Sequence, residues 1–354
     1  EVEAFLTKYP QYEVRFRKLG TIDPNELSRL ARRLPPRTLV VQYFAAPDRL
    51  YLFLVARDSF EVKGVAVSQA ELYKLVREYR EYLARAVEQP LPWTDDGSPE
   101  YARHVRPLKA ITAQLSDYLL GPIRAELERY PNLVLAPNDL LLYLPIHALI
   151  VPAEPGGERF LAETHVVSYL TRRELIDLFT PRVESNRPIL ALANPDGSLS
   201  GASAEVDMLR RLRPSVVVLE GSEATKERFL HLAARYADVH LATHGYFDTR
   251  RPELSYLLMA GRDESSQRLT ASEIAELSLE DGGLVTLSAC ETGVGEQVPG
   301  AALVTLAAAF SQAGAQSVVA SLWPVVDQFT RTYMEVFYGA IPTKGRAGAL
   351  HAAQ

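Results

Sequence analysis

The residue types and spacings that could do chemistry concentrate between Ala237 and Gly295. Asp238-Val239-His240-Leu241-Ala242-Thr243-His244-Gly245 runs through apolar residues and ends on a histidine followed by glycine. Gly283-Leu284-Val285-Thr286-Leu287-Ser288-Ala289-Cys290-Glu291-Thr292-Gly293 repeats the pattern and delivers the chain's single cysteine. A thiol attacks a carbonyl carbon only as thiolate, and a neighbouring imidazole can take its proton near neutral pH. Loops at the carboxyl ends of parallel strands are where sites in α/β proteins assemble. The two stretches therefore read as a nucleophile, Cys290, and its base, His244. Gly245 has no side chain to screen its backbone N–H, so the N–H groups of Gly245 and Cys290 are the expected oxyanion donors. Taken singly, a cysteine or histidine after an apolar run is most often a packed core residue. The pairing, 46 positions apart (244 to 290), is what carries the reading.

The elements that must position these residues are legible around them. Ile189–Ala193, Val216–Leu219, Asp238–Ala242, Leu257–Ala260, Leu284–Ser288 and Ser317–Leu322 read as strands. Between them, Ala202–Leu212, Ala224–Ala234, Ala271–Leu277, Gly300–Ala313 and Gln328–Tyr338 read as helices. Strands alternating with helices predict a parallel sheet covered on both faces. Upstream, Thr38–Phe44 and Leu50–Ala56 form a predicted hairpin, followed by a strand at Phe60–Val67. Ser68 with Glu71 three residues on gives a capping box for a helix reaching Glu88, with Leu72, Leu75, Val76, Tyr79 and Leu83 on one face. Leu108–Glu128 is expected to be helical with a break at Gly121-Pro122. Short strands follow at Leu133–Leu135, Leu141–Leu144 and His165–Leu170, then a helix at Arg172–Phe179. Gln89–Pro99 reads as a loop and Pro181–Pro188 as a boundary. The expected organisation is a helical lead-in at 1–36, an amino-terminal α/β half at 37–186 and a catalytic half at 187–354.

Composition narrows the function classes. With 354 residues, 47% hydrophobic and 23% charged, the chain suits a globular protein with a substantial core. A formal net charge of −6 leaves no basic footprint, so no direct nucleic-acid contact is expected. No apolar run approaches the roughly 20 residues that span a bilayer, so no membrane association is expected. One cysteine excludes an internal disulfide and a multi-thiolate zinc site, and it fits a reducing, cytoplasmic setting. The sequence calls for no metal and no cofactor. Glu1 in place of Met, and a helix-like pattern still running at Gln354, are expected of a piece of a longer chain. No G-x-S-x-G elbow is present, which argues against an α/β-hydrolase-type esterase.

At these motifs the sequence resembles the CHAT domain, a caspase-like cysteine peptidase domain related to separase and often carried behind tetratricopeptide repeats. The pattern H-L-A-T-H-G stands at His240–Gly245 and L-S-A-C-E-T-G at Leu287–Gly293. A-S-L-W-P-V-x-D-x-x-T stands at Ala320–Thr330. Leu199-Ser200-Gly201-Ala202 with Glu205-Val206 is similar to L-P-G-A-x-x-E-V. Tyr43-Phe44 through Phe53, and Ala136-Pro137-Asn138 through Leu149, resemble its amino-terminal part. The likeness spans about residues 22 to 354. The chain departs from the pattern at Val326, Leu142 and Ala308, where Asp, His and Arg are usual, and none of these falls on the dyad. The resemblance implies a caspase-like α/β sandwich with a central, mostly parallel sheet, preceded by a second α/β half. It also implies a His244–Cys290 dyad that needs no third member, hydrolysing a peptide bond of a protein or peptide substrate through a thioester. The rival is a catalytically silent caspase-like interaction module. Relatives with amino-terminal repeats suggest an activating partner acting through sequence upstream of Glu1, with low basal activity without it.

Other residues keep two readings. Asp327 offers a carboxylate to a basic substrate side chain, or caps the helix that follows. Trp323 walls a substrate cleft or fills the core. Glu291 binds substrate, steers a loop or faces solvent. His240 and His147 read as packing histidines. Asp196-Gly197 has too few glycines for a phosphate loop.

Overall fold

The computed structural model describes residues 28–29, 31–88, 93, 97–153, 157–170, 188–213, 215–236, 238–246, 248, 251–279, 283–288, 301–321 and 327–354. The expected helix at Arg172–Phe179 and most of the lead-in at 1–36 lie outside these residues.

In the amino-terminal half, β1 (Thr38–Ala46) pairs antiparallel with β2 (Arg49–Ala56), which pairs antiparallel with β3 (Ser59–Val65). On its other edge β1 runs parallel to β4 (Asn132–Ala136), and β4 runs parallel to β7 (Val166–Tyr169). A small hairpin, β5 (Ile150–Ala153) and β6 (Gly157–Phe160), lies between them in sequence. The alternating apolar face of β2 buries Leu50, Leu52 and Leu54 with Leu72 and Val76 of α1 (Gln69–Glu88) and Leu115 and Leu119 of α2 (Arg106–Leu119). The Ser68 hydroxyl accepts the Glu71 N–H at 3.2 Å, so the expected cap starts α1. Leu141–Leu144 corrects an expectation: it lies in a 3-10 turn spanning Asp139–Tyr143 rather than a strand. Four apolar residues in a row have no readable period. Asp139 enters this turn with a left-handed backbone (φ 48°), and Leu141 within it and Leu144 just past its end are buried.

The carboxyl-terminal half is built on five parallel strands in the order β15-β14-β10-β8-β9. These are β8 (Ile189–Ala193), β9 (Val217–Glu220), β10 (Asp238–Ala242), β14 (Leu284–Leu287) and β15 (Ser317–Ala320). β8 and β14 are buried along their whole length, which is why they read as unbroken apolar runs. The period of two sorts their side chains to two cores. Leu190, Leu192, Val239, Leu241, Val285 and Leu287 face α4 (Lys226–Ala233), α5 (Ala271–Ala275) and α6 (Ala301–Gln312), packing on Phe229, Ile274 and Phe310. Truncating the fully buried Phe310 to alanine would cost about 3–5 kcal/mol. Ile189, Ala191, Ala193, Ala242 and Leu284 face α3 (Ser200–Leu212) and α7 (Asp327–Ala353), packing on Val206, Leu209 and Phe337.

Two further boundaries differ from expectation. The strand expected at Leu257–Ala260 is β12 (Tyr256–Leu258), and it stays out of the parallel sheet. It pairs antiparallel with β11 (Gly245–Tyr246) and β13 (Arg268–Thr270). Helix α7 runs past Tyr338 to Ala353, interrupted at Gly345, whose φ of 66° breaks the helical path. Its far end packs against β7, and His351 Nδ1 lies 2.8 Å from the Ala162 carbonyl of the amino-terminal half.

Candidate active site

Strand β10 lies in the middle of the parallel sheet, so the loops after β8, β10, β14 and β15 all leave from one edge. After β8 the chain turns sharply. Asn194 adopts φ 49°, a left-handed conformation that asparagine tolerates better than most residues. Its carbonyl accepts the Gly197 N–H at 3.2 Å, and its side-chain oxygen accepts the Leu199 N–H at 2.8 Å. Gly197 completes the turn at φ 78°. This turn carries Asp196 and Ser198 to the histidine at the end of the next strand.

His244 Nε2 lies 2.7 Å from Ser198 Oγ and 3.8 Å from Asp196 Oδ2. The Ser198 hydroxyl donates to Asp196 Oδ1 at 2.8 Å. A hydroxyl has one proton, so with that proton on Asp196 the oxygen must accept from His244 Nε2–H. The proton therefore sits on Nε2, and Nδ1 of the neutral ring holds the free lone pair. Nδ1 is buried and has no hydrogen-bond partner among the described residues. Partial burial works against the Asp196 carboxylate, but the hydrogen bonds from Ser198 and the nearby His244 outweigh it. The net effect holds its pKa below the ordinary value. The ionised carboxylate thus lies 3.8 Å from the ring nitrogen on the side away from Nδ1.

Gly245 opens β11. The Leu258 N–H donates to the His244 carbonyl at 2.8 Å, which makes residues 244 and 258 the hydrogen-bonded pair of this ladder. Gly245, opposite Leu257, takes the non-bonded position, so its N–H points away from β12. The Thr243 hydroxyl locks the corner by donating to the Leu258 carbonyl at 2.8 Å.

On the other side of β10, β14 ends at Leu287, and the Ser288 N–H donates to the Leu241 carbonyl at 2.9 Å. The register pairs Val239 with Val285, His240 with Thr286 and Leu241 with Leu287, an offset of 46, the same separation as His244 and Cys290. Cys290, Glu291 and Trp323 lie outside the described residues, as does the side chain of Asp327, the residue at which α7 begins.

His240, expected as a packing histidine, is fully buried and is tied into a polar network on the α3/α7 face of the sheet. Its Nδ1 lies 3.2 Å from Tyr338 Oη, and the Tyr338 hydroxyl donates to Thr286 Oγ1 at 2.8 Å. Its Nε2 lies 3.2 Å from Glu205 Oε2, an ion-pair approach with the N–H off the oxygen's line. The other oxygen of Glu205 accepts the Ser288 hydroxyl at 2.9 Å. Burial pushes the Tyr338 hydroxyl's pKa far up, so it stays protonated.

Asp196, Ser198 and Glu205 had no functional role in the sequence reading. Asp196 and Ser198 follow the carboxyl end of β8 within five residues, and that position was the available signal.

Comparison with known proteins places this geometry. No curated protein sequence matches the chain. Among solved structures, separase from the Saccharomyces cerevisiae separase–securin complex is similar with a TM-score of 0.50 and 12% identity. That match covers 92% of this chain and 29% of the separase chain, so this chain spans under a third of that protein's length. A short-chain flavodoxin associated with a bacterial microcompartment is similar over 45% of this chain and 97% of its own, at 16% identity and a TM-score of 0.26. The central parallel sheet between two helical layers and the likeness to separase make the fold a caspase-like α/β sandwich. The CHAT domain model matches residues 109–354, and the chain belongs to the CHAT domain family.

Proposed function

We propose that this protein is a cysteine endopeptidase in which Cys290 attacks a peptide carbonyl and His244 is the base. The observation that carries the proposal is the register. β10 and β14 are parallel neighbours whose paired residues stand 46 apart, as His244 and Cys290 do, so both loops leave one edge side by side. The buried Nδ1 of His244, without a hydrogen-bond partner among the described residues, supplies the lone pair such a step needs.

His244 Nδ1 takes the thiol proton, and the Cys290 sulfur forms a bond to the substrate carbonyl carbon. The carbonyl oxygen becomes an oxyanion against the N–H groups of Gly245 and Cys290. Collapse of this intermediate breaks the carbon–nitrogen bond, and the imidazolium gives its proton to the leaving amine. Water then attacks the thioester, losing its proton to Nδ1, and the thiolate leaves with the acid as product. Throughout, Ser198 holds Nε2–H and Asp196 faces the positive ring. A positioned general base contributes about 10²–10⁴-fold, and each oxyanion donor about 10²–10³-fold.

Glu291 adjoins the nucleophile. In sequence, Trp323 and Asp327 follow β15, the strand paired with β14. We assign these three residues to substrate binding, with the Asp327 carboxylate suited to a basic side chain. The test is cleavage of a diverse peptide library, with products identified by mass spectrometry. The proposal expects cuts by the wild type and none by Cys290→Ala. Identical product sets from the two would leave a catalytically silent interaction module.

A further inference from the structure

Three motif positions that the peptidase mechanism leaves idle converge in the buried network described above. Glu205 comes from the Gly-Ala-x-x-Glu-Val stretch at 201–206, His240 from the stretch ending at Gly245, and Ser288 from the stretch around Cys290. Glu205 is 3% exposed and His240 is 0% exposed. A carboxyl group and an imidazole buried together cost more desolvation than an apolar pair of the same volume, and such groups serve to fix one arrangement. What they fix is visible at Ser288. Its backbone N–H is held by Leu241 of the histidine-bearing strand at 2.9 Å, and its hydroxyl by Glu205 of α3 at 2.9 Å. Ser288 is thus gripped from two directions, two residues before Cys290, a reach of at most about 7 Å along the chain.

We infer that Glu205 is a positioning residue for the nucleophile: through the Ser288 hydroxyl it sets where the chain leaves β14, and so the approach of Cys290 to His244. The inference rests on the peptidase reading of that pair. His240 and Tyr338 brace Glu205 from behind. The Tyr338 proton is spent on Thr286, so Tyr338 Oη accepts from His240 Nδ1–H. His240 Nε2 is then turned toward Glu205 Oε2 at 3.2 Å, an electrostatic approach without a hydrogen bond between them. Because α7 supplies Tyr338, which bonds to Thr286, the network takes hold of β14 at two points, residues 286 and 288.

Cys290 is the only cysteine, so its alkylation by iodoacetamide can be followed by intact mass without background. In the wild type the rate–pH curve should keep a limb below pH 7, where an unpaired thiol is about 1% thiolate. His244→Ala should lose that limb. Ser288→Ala should lose it as well, slowing alkylation at pH 6.5 by about 10- to 100-fold, with a thermal midpoint within about 5 °C of wild type. Ser288→Thr restores the hydroxyl and should restore the limb. Tyr338→Phe, which cuts the far end of the network, should slow alkylation about 3- to 10-fold. A purely structural role would move the midpoint and leave the limb in place. A Ser288→Ala curve that keeps the wild-type limb overturns the positioning role and leaves the peptidase reading standing. A wild-type curve already identical to that of His244→Ala overturns both. If Ser288→Ala does not fold, an unchanged limb in Tyr338→Phe overturns the inference by itself.

Discussion

Each half of the molecule sets a histidine edge-on against a tyrosine, and the two pairs differ in what lies beyond them. In the amino-terminal half the rings of His147 and Tyr169 are 5.7 Å apart at 79°, with Nδ1 2.9 Å from the hydroxyl. In the carboxyl-terminal half His240 and Tyr338 are 5.8 Å apart at 62°, with Nδ1 3.2 Å from the hydroxyl. Tyr169 also accepts the His147 backbone N–H at 3.0 Å, so that pair pins a 3-10 turn to β7. Burial drives the His147 pKa down to about 4, which keeps the ring neutral. His240 instead reaches Glu205, and through it the residue two positions before the cysteine. A histidine–tyrosine pair is packing in one place and part of a polar network leading toward the site in the other. The difference lies in the carboxylate and in the strand end it touches.

The comparison can be broken by treating the two halves alike. The largest effect is expected at the dyad, where His244→Ala should lower peptide hydrolysis by about 10²–10⁴-fold with little change in KM. A loss confined to KM would remove His244 from the chemistry. Next comes the neutral His147. The unfolded imidazole gains its proton near pH 6.5, whereas the folded one resists until about 4, so stability falls as pH drops through that window. Because His147 is only part-buried, a discounted contribution of about 2 kcal/mol is expected between pH 7 and 4.5. Urea unfolding of wild type and His147→Asn at the two pH values measures it. Equal pH sensitivity in both proteins would contradict the assignment.

Smaller effects sharpen the contrast. Ser198→Ala removes the acceptor that holds His244 Nε2–H and should lower kcat about tenfold. Wild-type kcat in that variant would show that the ring is oriented without the turn after β8. Tyr169→Phe should destabilise the protein by about 1 kcal/mol in urea unfolding and leave Cys290 alkylation unchanged. The equivalent change at Tyr338 is expected to slow that reaction. Equal effects of the two phenylalanines on alkylation would erase the difference between the halves.

Much of the sheet was legible because its strands are buried on both faces. Ile189–Ala193 and Asp238–Ala242 appear residue for residue, since short, largely apolar segments with clear breaks on either side leave little room to shift. Leu141–Leu144 misled because it is just as apolar and too short to have a period. The full length of α7 was hidden by Gly339, Pro342 and Gly345, which read as breakers, although only Gly345 leaves the helical conformation. At the site, His244 and Gly245 announced themselves by following closely on a strand end. Asp196 and Ser198 did not, because their approach depends on the left-handed turn at Asn194 and on β8 lying beside β10. Glu205 stands 83 residues from Ser288 in sequence and meets it only once α3 is laid across the sheet.

The central claim, that Cys290 is a nucleophile served by His244, is tested most directly by a peptidyl acyloxymethyl ketone followed by intact mass. The wild type should acquire one adduct, mapped to Cys290, at least about 10²-fold faster than His244→Ala. Equal labelling rates in the two proteins would contradict it.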